Sequence, residues 1–452
     1  MTLTTITRPP GAPAESHPLD GENPFVGYAY SYPHKSAYRA LDPPVPLAEA
    51  WANERRDGLF LYAHLPFCEV RCGFCNLFTL ANSGSDLVAP YLTALRAEAA
   101  AVRAALPDAR FARVALGGGT PTYLDEGELA KLLAILSEVL GADAGALPAS
   151  CEASPATMTA GKARLLRDWG VTRLSLGVQS FDEAEAKRLG RPQRTAEVRR
   201  AIGHVRDAGF PILNLDLIYG TPGQSLDSWL RSVDEAIATG AEEIYLYPLY
   251  VRELTGLGKT HVEPNDGRVA AYRAGRERLL GAGYAQRSLR MFAKPDAAGA
   301  DAGPAYDCQS DGMVGLGCGA RSYAGPLHYS TEYAVGRAGV RAILTDYVHR
   351  DPADFAAARH GHRLAPDDRR RRFVLQGVLQ SDGLDAAAYR RRFGSDPLAD
   401  LPQLAELTDR GLAAWDGDRL KPTPAGLERS DQIGPWLYSP KVAALMAGGP
   451  VR

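Results

Sequence analysis

Three cysteines lie within eight residues of one another in the segment FCEVRCGFCN, residues 67–76. Cys68, Cys72 and Cys75 are half of the six cysteines in the chain, and their spacing is C-x3-C-x2-C. Clustered thiolates are ligands for zinc and for iron–sulfur clusters. Each iron of a [4Fe–4S] cube takes a ligand, so three thiolates leave one iron open to bind a substrate or a cofactor. The missing fourth cysteine therefore favours a cluster that takes part in chemistry.

Two other interpretations of this segment remain open. The three thiols could bind zinc with His64, which precedes Cys68 by four residues, as the fourth ligand. They could also be unrelated cysteines that share no ligand. Cys151, Cys308 and Cys318 are isolated in the sequence and indicate no second paired site. A lone cysteine such as Cys308 is typical of a small buried hydrophobic side chain.

Length and charge limit the classes of protein. A chain of 452 residues is too long for one ordinary core and predicts two or three domains, or one large α/β barrel with an addition. The net charge of −2 gives no basic field for nucleic acid or acidic lipid. Neither a membrane-length apolar run nor a secretion signal is evident, so we expect a cytoplasmic protein without a nucleic-acid or membrane partner. Its thiols would then be reduced.

Short apolar segments alternate with amphipathic helical patterns between residues 59 and 292. Strand followed by helix, repeated about six times, predicts a parallel sheet with crossover helices. The predicted strands read as apolar on both faces, which favours a partial barrel of the (β/α)6 type. Active sites of such barrels lie at the carboxyl ends of the strands, where the cysteines follow the first strand. The predicted strands are 59–65, 111–117, 150–154, 171–177, 211–220, 242–249 and 284–292.

The remaining patterns predict how the chain is divided. The Asp-Gly turn near residue 417 indicates a hairpin, and with two preceding helical patterns it predicts a small winged-helix-like α+β domain. Asp367 and Asp368 balance the arginines at 369–372, which favours a solvated helix face over a DNA-binding one. The predicted units are a flexible N-terminus (1–24), an arm packed on the barrel (25–57), the barrel (58–330), a helical connector (331–368), the C-terminal domain (369–440) and a tail (441–452).

The motif C-x3-C-x2-C, with Phe74 before its last cysteine, resembles the signature of radical S-adenosylmethionine (SAM) enzymes. The wider stretch YAHLPFCEVRCGFC, residues 62–75, is similar to the oxygen-independent coproporphyrinogen III oxidase and haem-chaperone family. The resemblance implies a [4Fe–4S] cluster on Cys68, Cys72 and Cys75 whose open iron chelates SAM. One electron then cleaves SAM to methionine and a 5′-deoxyadenosyl radical, which abstracts hydrogen from the substrate. It also implies a flavodoxin or ferredoxin-type electron donor and a small-molecule or peptide substrate.

The same resemblance implies which other residues bind SAM. Gly118, Gly119 and Thr120 match the family's Gly-Gly-Gly-Thr-Pro segment, which holds the amino end of SAM. Glu152 matches a carboxylate that contacts SAM. Tyr62 matches a position near its methionyl part, although an aromatic residue of the barrel core is an equal alternative. Phe74, inside the cysteine motif, belongs to the same predicted cofactor site.

Three further polar residues match positions that hold a second SAM molecule in the oxidase. They are Gln179 at the end of one predicted strand, Arg191 twelve residues later, and Asp216 inside an apolar strand. The resemblance implies that they bind a second SAM molecule or the substrate. A carboxylate in a core strand needs a partner, so a buried Arg191–Asp216 ion pair that closes the barrel is the structural alternative.

Two departures from the family leave the reaction open. The oxidase has a further cysteine where this chain has Leu77, and the haem chaperone has a His-Asn and Tyr-Trp motif where this chain has YDCQSDG, residues 306–312. The N-terminal SYPHKSAYR also differs from both. We therefore expect SAM cleavage followed by oxidation or by methyl or methylene transfer on an unidentified substrate, with one or two SAM molecules bound and no assigned catalytic residue. The alternative is a haem-binding chaperone of the same family.

Overall fold

Seven parallel strands form the centre of the structure, a computed structural model. Their order is β12-β2-β5-β6-β7-β8-β9, and helices connect consecutive strands from β2 to β9. The predicted (β/α)6 partial barrel is therefore confirmed. The described residues are 17–27, 31–82, 85–142, 145, 147–261, 263–297 and 312–448. The central strands are β2 (Leu59–Leu65), β5 (Phe111–Gly118), β6 (Ala149–Ala153), β7 (Arg173–Gln179), β8 (Ile212–Tyr219), β9 (Glu243–Pro248) and β12 (Met313–Leu316).

Helices cover the outer face of this sheet. Their apolar sides and the outward residues of the strands belong to one hydrophobic core. The helices up to residue 348 are α1 (Leu47–Ala50), α2 (Ser85–Ala105), α3 (Glu126–Ala134), α4 (Ala160–Trp169), α5 (Glu183–Arg188), α6 (Thr195–Asp207), α7 (Leu226–Ala238), α8 (Gly256–Lys259), α9 (Arg268–Gly281) and α10 (Arg337–Val348).

The two faces of the central strands differ in polarity. Leu174, Leu176, Leu213 and Leu215 are fully buried and face the helices. Strand residues alternate in direction, so their neighbours face the interior of the barrel. The inward positions include Glu152, Arg173, Ser175, Asp216, Glu243 and Tyr245. The expectation of strands apolar on both faces was wrong, because this barrel keeps a polar interior instead of filling it with aliphatic side chains.

The sheet continues beyond the barrel at both edges. The antiparallel strands β13 (Arg321–Ala324), β14 (Leu327–Ser330), β15 (Ala357–Arg363) and β1 (Arg39–Pro46) extend it past β12. The segment predicted as a helical connector, 331–368, therefore contains a strand of the main sheet. The predicted strand 284–292 is two short strands, β10 (Ala285–Gln286) and β11 (Met291–Ala293), paired antiparallel. Hydrophobic periodicity did not reveal the turn between them.

The C-terminal domain has its own small core. Its three strands pair in the order β16-β18-β17, and Gly417 in the predicted hairpin turn has φ +57°. This α+β unit confirms the expected small domain. Its strands are β16 (Leu384–Asp385), β17 (Ala413–Asp416) and β18 (Arg419–Pro422), and its helices are α11 (Pro366–Val378), α12 (Ala386–Phe393), α13 (Pro397–Asp400), α14 (Leu404–Asp409), α15 (Pro424–Glu428), α16 (Ser430–Trp436) and α17 (Pro440–Ala447).

The described parts of the predicted flexible N-terminus (1–24) and of the predicted tail (441–452) pack in the C-terminal domain. Leu19, in the N-terminus predicted as flexible, is 3% exposed and packs in the core of the C-terminal domain. Val442, in the segment predicted as a tail, is fully buried in the same core. Residues 1–16 lie outside the described residues. In residues 1–24 Pro, Gly and polar residues outnumber the apolar ones, so the sequence shows no hydrophobic periodicity there. Where Leu19 packs is therefore determined only by the tertiary structure.

The arginine run at 369–372 is not a uniform solvated face. Arg371 pairs with Asp367 at 2.7 Å, as a surface pair would. Arg372 is buried, and its guanidinium lies 4.8 Å from the ring centroid of Tyr323 on the main sheet. This contact joins α11 to β13 and is one of the interactions that attach the C-terminal domain to the main sheet. Among the described residues, no helix is long and apolar enough to cross a membrane.

Candidate active site

The cysteine loop follows β2 at the carboxyl end of the barrel. Its two ends are joined by the short parallel pairing of β3 (Phe67–Cys68) with β4 (Leu80–Ala81). The backbone N–H of Cys75 donates to the carbonyl of Cys72 at 3.1 Å, which makes a tight turn between these cysteines. The loop therefore leaves the sheet, carries all three thiols and returns to its own starting point. This closure holds the thiols on one short, rigid segment.

Two of the three thiols, those of Cys68 and Cys75, lie in surroundings that disfavour bare thiolates. Burial, followed by the nearby Cys75, raises the pKa of Cys68 to about 12. Burial and Cys72 also raise the pKa of Cys75. Thiolates that repel one another away from water need a positive centre to bind. The donor set therefore fits an iron–sulfur cluster, whose irons stabilise the deprotonated thiols.

His64 is placed as a support of the loop and not as a ligand. Its Nε2 lies 3.0 Å from the carbonyl of Phe78. A carbonyl only accepts hydrogen bonds, so Nε2 carries the proton. Its Nδ1 lies 3.2 Å from the hydroxyl of Tyr62. Burial lowers the pKa of His64 to about 3. Both ring nitrogens are thus engaged, and the zinc site with His64 as fourth ligand does not fit. Within the described ranges, no three His, Cys, Asp or Glu side chains are grouped as a single metal ion requires.

The glycine segment packs directly against the start of the cysteine loop. The N–H of Gly119 donates to the carbonyl of Leu65 at 2.7 Å, and the N–H of Thr120 donates to the carbonyl of Phe67 at 2.8 Å. The hydroxyl of Thr120 lies 3.7 Å from the sulfur of Cys68. Gly118 has φ +107°, a conformation that favours glycine. The structure thus brings the predicted glycines and Cys68 together, with no side chain between the two segments.

Glu152 faces the interior of the barrel beside the glycine segment. Its Oε2 accepts a hydrogen bond from the N–H of Gly118 at 3.1 Å. The Glu152 side chain is accessible to solvent, but the surrounding strands still remove much of its hydration. Both observations fit a side chain that lines an opening inside the barrel. This desolvation and the charge of Asp216 raise the pKa of Glu152 to about 7. A carboxylate in such a position would be stabilised as an anion by a cationic or hydroxyl-bearing ligand.

Arg191 contacts the cysteine loop and does not pair with Asp216. Its Nη1 donates to the sulfur of Cys72 at 3.4 Å and its Nη2 donates to the hydroxyl of Ser154 at 3.1 Å. Asp216 instead accepts from the amide of Asn214 at 2.9 Å, and burial raises its pKa to about 6. The alternative of an ion pair that closes the barrel was therefore wrong. Arg191 reaches the cysteines because the segment after α5 runs alongside their loop.

Gln179, Phe74 and Tyr62 occupy three different surroundings. Gln179 ends β7 with φ +67°, and a Cβ at Gly177 would lie 2.8 Å from its Nε2, so the amide folds back over the strand. Phe74 packs with a small apolar cluster that includes Leu257. Tyr62 lies on the inner face of β2, against the inward apolar side chains there and in contact with His64. This inward position is compatible with both interpretations of Tyr62, a residue of the barrel core or a contact of SAM.

An ion pair inside the barrel escaped the sequence interpretation. Arg173 on β7 reaches across β8 to Glu243 on β9, with an N–O distance of 2.6 Å, and also donates to Ser175 at 2.7 Å. The guanidinium lies 5.7 Å from the ring centroid of Tyr245. A charged residue at the inward position of an otherwise apolar strand was the available signal. This network gives the interior a fixed polar wall opposite β2.

Comparison with known proteins identifies the group. Residues 62–236 match the sequence profile of the Radical SAM superfamily, and residues 364–428 match that of the HemN C-terminal domain. The chain is a radical SAM superfamily enzyme of the HemN/HemW type. Such enzymes hold a [4Fe–4S] cluster and SAM and receive electrons from a donor. The cysteine loop and the glycine segment both lie within the matched region.

Individual relatives of this radical SAM protein carry two different names. The heme chaperone HemW of Bacillus subtilis is 27% identical over 363 residues, 78% of this chain and 91% of the relative. The oxygen-independent coproporphyrinogen III oxidase of Pseudomonas aeruginosa is 29% identical over 427 residues, 88% of this chain and 89% of the relative. Among solved structures, coproporphyrinogen III oxidase (HemN) from Escherichia coli has a TM-score of 0.75 at 24% identity, covering 86% of this chain and 92% of that one. This likeness shows a common fold.

Proposed function

We propose that this radical SAM enzyme cleaves SAM reductively at a [4Fe–4S] cluster on Cys68, Cys72 and Cys75, and then oxidises or C-methylates a small-molecule or peptide substrate. The observation that carries the proposal is the backbone contact between the cysteine loop and the glycine segment at the mouth of an open, polar barrel. When bound, the cluster and SAM supply one-electron chemistry and a carbon-centred radical. The chain supplies binding, orientation and exclusion of water.

The residues around the cysteines would hold and tune the cluster. Cys68 is nearly buried, and Arg191 donates to the sulfur of Cys72. Hydrogen bonds and positive charge at a ligating sulfur stabilise the more reduced state of a cluster. His64 and Thr79 support the loop from below through the carbonyl of Phe78 and the sulfur of Cys75. These contacts favour a loop that keeps its geometry whether or not SAM is bound.

Glu152 would bind the first SAM molecule. Its carboxylate is oriented by the N–H of Gly118 and faces the barrel interior. A carboxylate whose pKa is raised to about 7 by desolvation gains from a ligand that donates hydrogen bonds, such as a ribose hydroxyl or an ammonium. The backbone of Gly118, Gly119 and Thr120 would present carbonyls to the ammonium of SAM, which only donates. Tyr62 and Phe74 would flank the same molecule.

Gln179 and Asp216 would bind a second molecule. They lie nearer the carboxyl ends of β7 and β8 than the level of Glu152. Asp216 is oriented by Asn214, and its carboxylate belongs to the same interior as Glu152. Two carboxylates whose charges act on each other favour a cationic ligand between them. The second molecule is a further SAM or the substrate itself.

The experiment that tests the function starts from protein purified and reconstituted under argon with iron and sulfide. We expect a brown protein with about four irons per chain, which releases 5′-deoxyadenosine when given dithionite and SAM. Cys72→Ala should abolish that release, whereas Cys151→Ala, a cysteine on the helix-facing side of β6, should keep it. A colourless protein, or one without 5′-deoxyadenosine, would contradict the proposal. A parallel titration with haem separates the chaperone alternative, for which tight stoichiometric binding with a Soret band is required.

A further inference from the structure

We infer that an acidic one-electron carrier protein docks on the outer side of the cysteine loop, on a basic surface formed by Lys187, Arg188 and Lys259. The inference rests on the proposed function, because that function needs an electron delivered to the cluster. It adds where the carrier binds and which charge it must have. The carrier loses one electron in the complex, and the cluster on the cysteine loop gains it.

The cysteine loop is bound on its outer side by two segments of the barrel. The N–H of Gly73 donates to the carbonyl of Leu189 at 2.8 Å, and the N–H of Leu257 donates to the carbonyl of Gly73 at 2.7 Å. A Cβ on Gly190 would lie 2.7 Å from the nitrogen of Gly73, so these backbones are in direct contact. The ends of α5 and α8 are thus attached to the residue that follows Cys72. The side chain of Leu257 also lies against Gly73, so this outer surface is in direct contact with the cysteine loop.

Both attached segments carry exposed cations. Lys187 and Arg188 form the last turn of α5, and Lys259 ends α8. All three are exposed, and none forms an ion pair with the residues that the structure describes. Glu253 is an exposed carboxylate in the segment before α8, and the exposed Arg252 precedes it, so these two residues together add no net charge. The surface next to the cysteines is therefore basic, on a chain whose formal net charge is −2.

Exposed apolar side chains lie on the cysteine loop and on the segment before α8. Val70, two residues before Cys72, is 41% exposed, and Leu254, at the start of the segment that leads to α8, is 37% exposed. Large apolar side chains with a charged rim are typical of docking surfaces. Glu69, elsewhere on the loop, lies with Asp125 and its neighbouring carboxylates around Lys162. An acidic partner is therefore favoured at Lys187, Arg188 and Lys259 and not at the acidic group around Glu69.

The kind of partner follows from charge. A chain with a net charge near zero exerts little long-range attraction, so an oriented encounter depends on local fields. Complementary charges mainly accelerate association, and the effect is lost as salt screens them. An acidic carrier would be oriented with its own redox group towards Cys72. A basic carrier, or a neutral one, would gain nothing from Lys187, Arg188 and Lys259.

The test uses the holoenzyme, reduced flavodoxin as an acidic carrier, and two triple variants. The test variant is Lys187→Glu, Arg188→Glu and Lys259→Glu. The control variant carries the same change of charge on exposed positions of the outer helices, Lys131→Glu, Arg200→Glu and Arg341→Glu. Flavodoxin binding is measured by interferometry at low and high salt. Carbodiimide cross-linking, which joins lysine amines to carboxylates, maps the contact by peptide analysis.

We expect the test variant to associate with flavodoxin about tenfold more slowly at low salt, with no difference at high salt. The control variant should behave like the parent. Cross-links should include Lys187 or Lys259, and the test variant should lose flavodoxin-driven but not dithionite-driven formation of 5′-deoxyadenosine. Unchanged binding in the test variant, cross-links elsewhere, or a parent enzyme that does not bind flavodoxin would overturn the inference. Failure of the dithionite reaction in the parent would instead contradict the proposed function, since binding and cross-linking do not depend on it.

Discussion

Replacing Gly119 by alanine tests whether the glycine segment and the cysteine loop form one rigid unit. A Cβ at this position would lie 2.5 Å from the carbonyl oxygen of Phe67, 2.7 Å from that of Leu65 and 3.0 Å from the sulfur of Cys68. Two of these atoms belong to the backbone and cannot rotate away. Gly119 does not have a positive φ, so the cost comes from these contacts and not from a backbone conformation forbidden to alanine.

The size of the effect follows from the contacts that must move. Overpacking a tightly packed position costs about 1–3 kcal/mol. Separating the segments also weakens two hydrogen bonds, from Gly119 to Leu65 and from Thr120 to Phe67, each contributing about 1 kcal/mol. Gly119→Ala should therefore lower the free energy of unfolding by about 2–5 kcal/mol. This is a large part of the roughly 5–15 kcal/mol that holds a typical domain folded.

The assay is guanidinium unfolding of the cluster-free protein in the presence of reductant, followed by iron analysis after reconstitution. Gly203→Ala is the matched control, because Gly203 lies inside α6 and a Cβ there meets nothing within 4 Å. The control should raise stability by about 0.5–1 kcal/mol, since alanine is the better helix former. Gly119→Ala should unfold at lower denaturant and take up less iron.

One result would refute this reasoning. If Gly119→Ala unfolds at the same denaturant concentration as the parent and still takes up a full complement of iron, the two segments are not in the tight contact described. A loss of iron without a loss of stability would place the effect on the cluster site alone. The Gly203→Ala control shows whether the method detects changes of about 1 kcal/mol.

Three further predictions concern charged groups. Desolvation raises the pKa of Glu152 to about 7, above its unfolded value of 4.5. The free energy of unfolding of the unliganded protein should therefore fall as pH rises from about 4.5 to 7. Glu152→Gln should flatten this pH dependence in unfolding experiments and should weaken SAM binding. Asp431→Asn should cost about 3–5 kcal/mol in thermal unfolding, because Arg290, bonded to Asp431 at 2.7 Å, would keep a buried charge without its counter-ion; an unchanged midpoint would contradict this. Arg191→Gln should lower the cluster's reduction potential in a spectroscopic redox titration, with Arg191→Lys nearer the parent, because the charge beside Cys72 is lost.

Six of the seven predicted strands correspond to single strands of the barrel. Their apolar outward residues recur at every second position, and this local pattern does not depend on partners far along the chain. The extension of the sheet was not predictable in this way. Strand β1 pairs with β15, which follows more than three hundred residues later, although β1 contains three prolines and has little periodicity. Only the register with β15 makes a strand of it.

For the candidate site, sequence and structure contributed different parts. Motif spacing selected the cysteines and the glycine segment, because both are short and local. It could not decide the partner of Arg191, since the sulfur of Cys72 and the carboxylate of Asp216 are both distant in sequence. The ion pair of Arg173 with Glu243 was missed for the same reason, because it joins strands separated by another strand.

The amino-acid sequence by itself determined the repeating strand and helix order, the three thiols on one loop and the glycines that follow the next strand. These features depend on residue type and on spacing over a few positions. The tertiary structure decided that His64 supports the loop, that Arg191 contacts Cys72, and that carboxylates from β6 and β8 share one interior. Those outcomes depend on which side chains meet when parallel strands are brought edge to edge, and spacing along the chain does not specify such contacts.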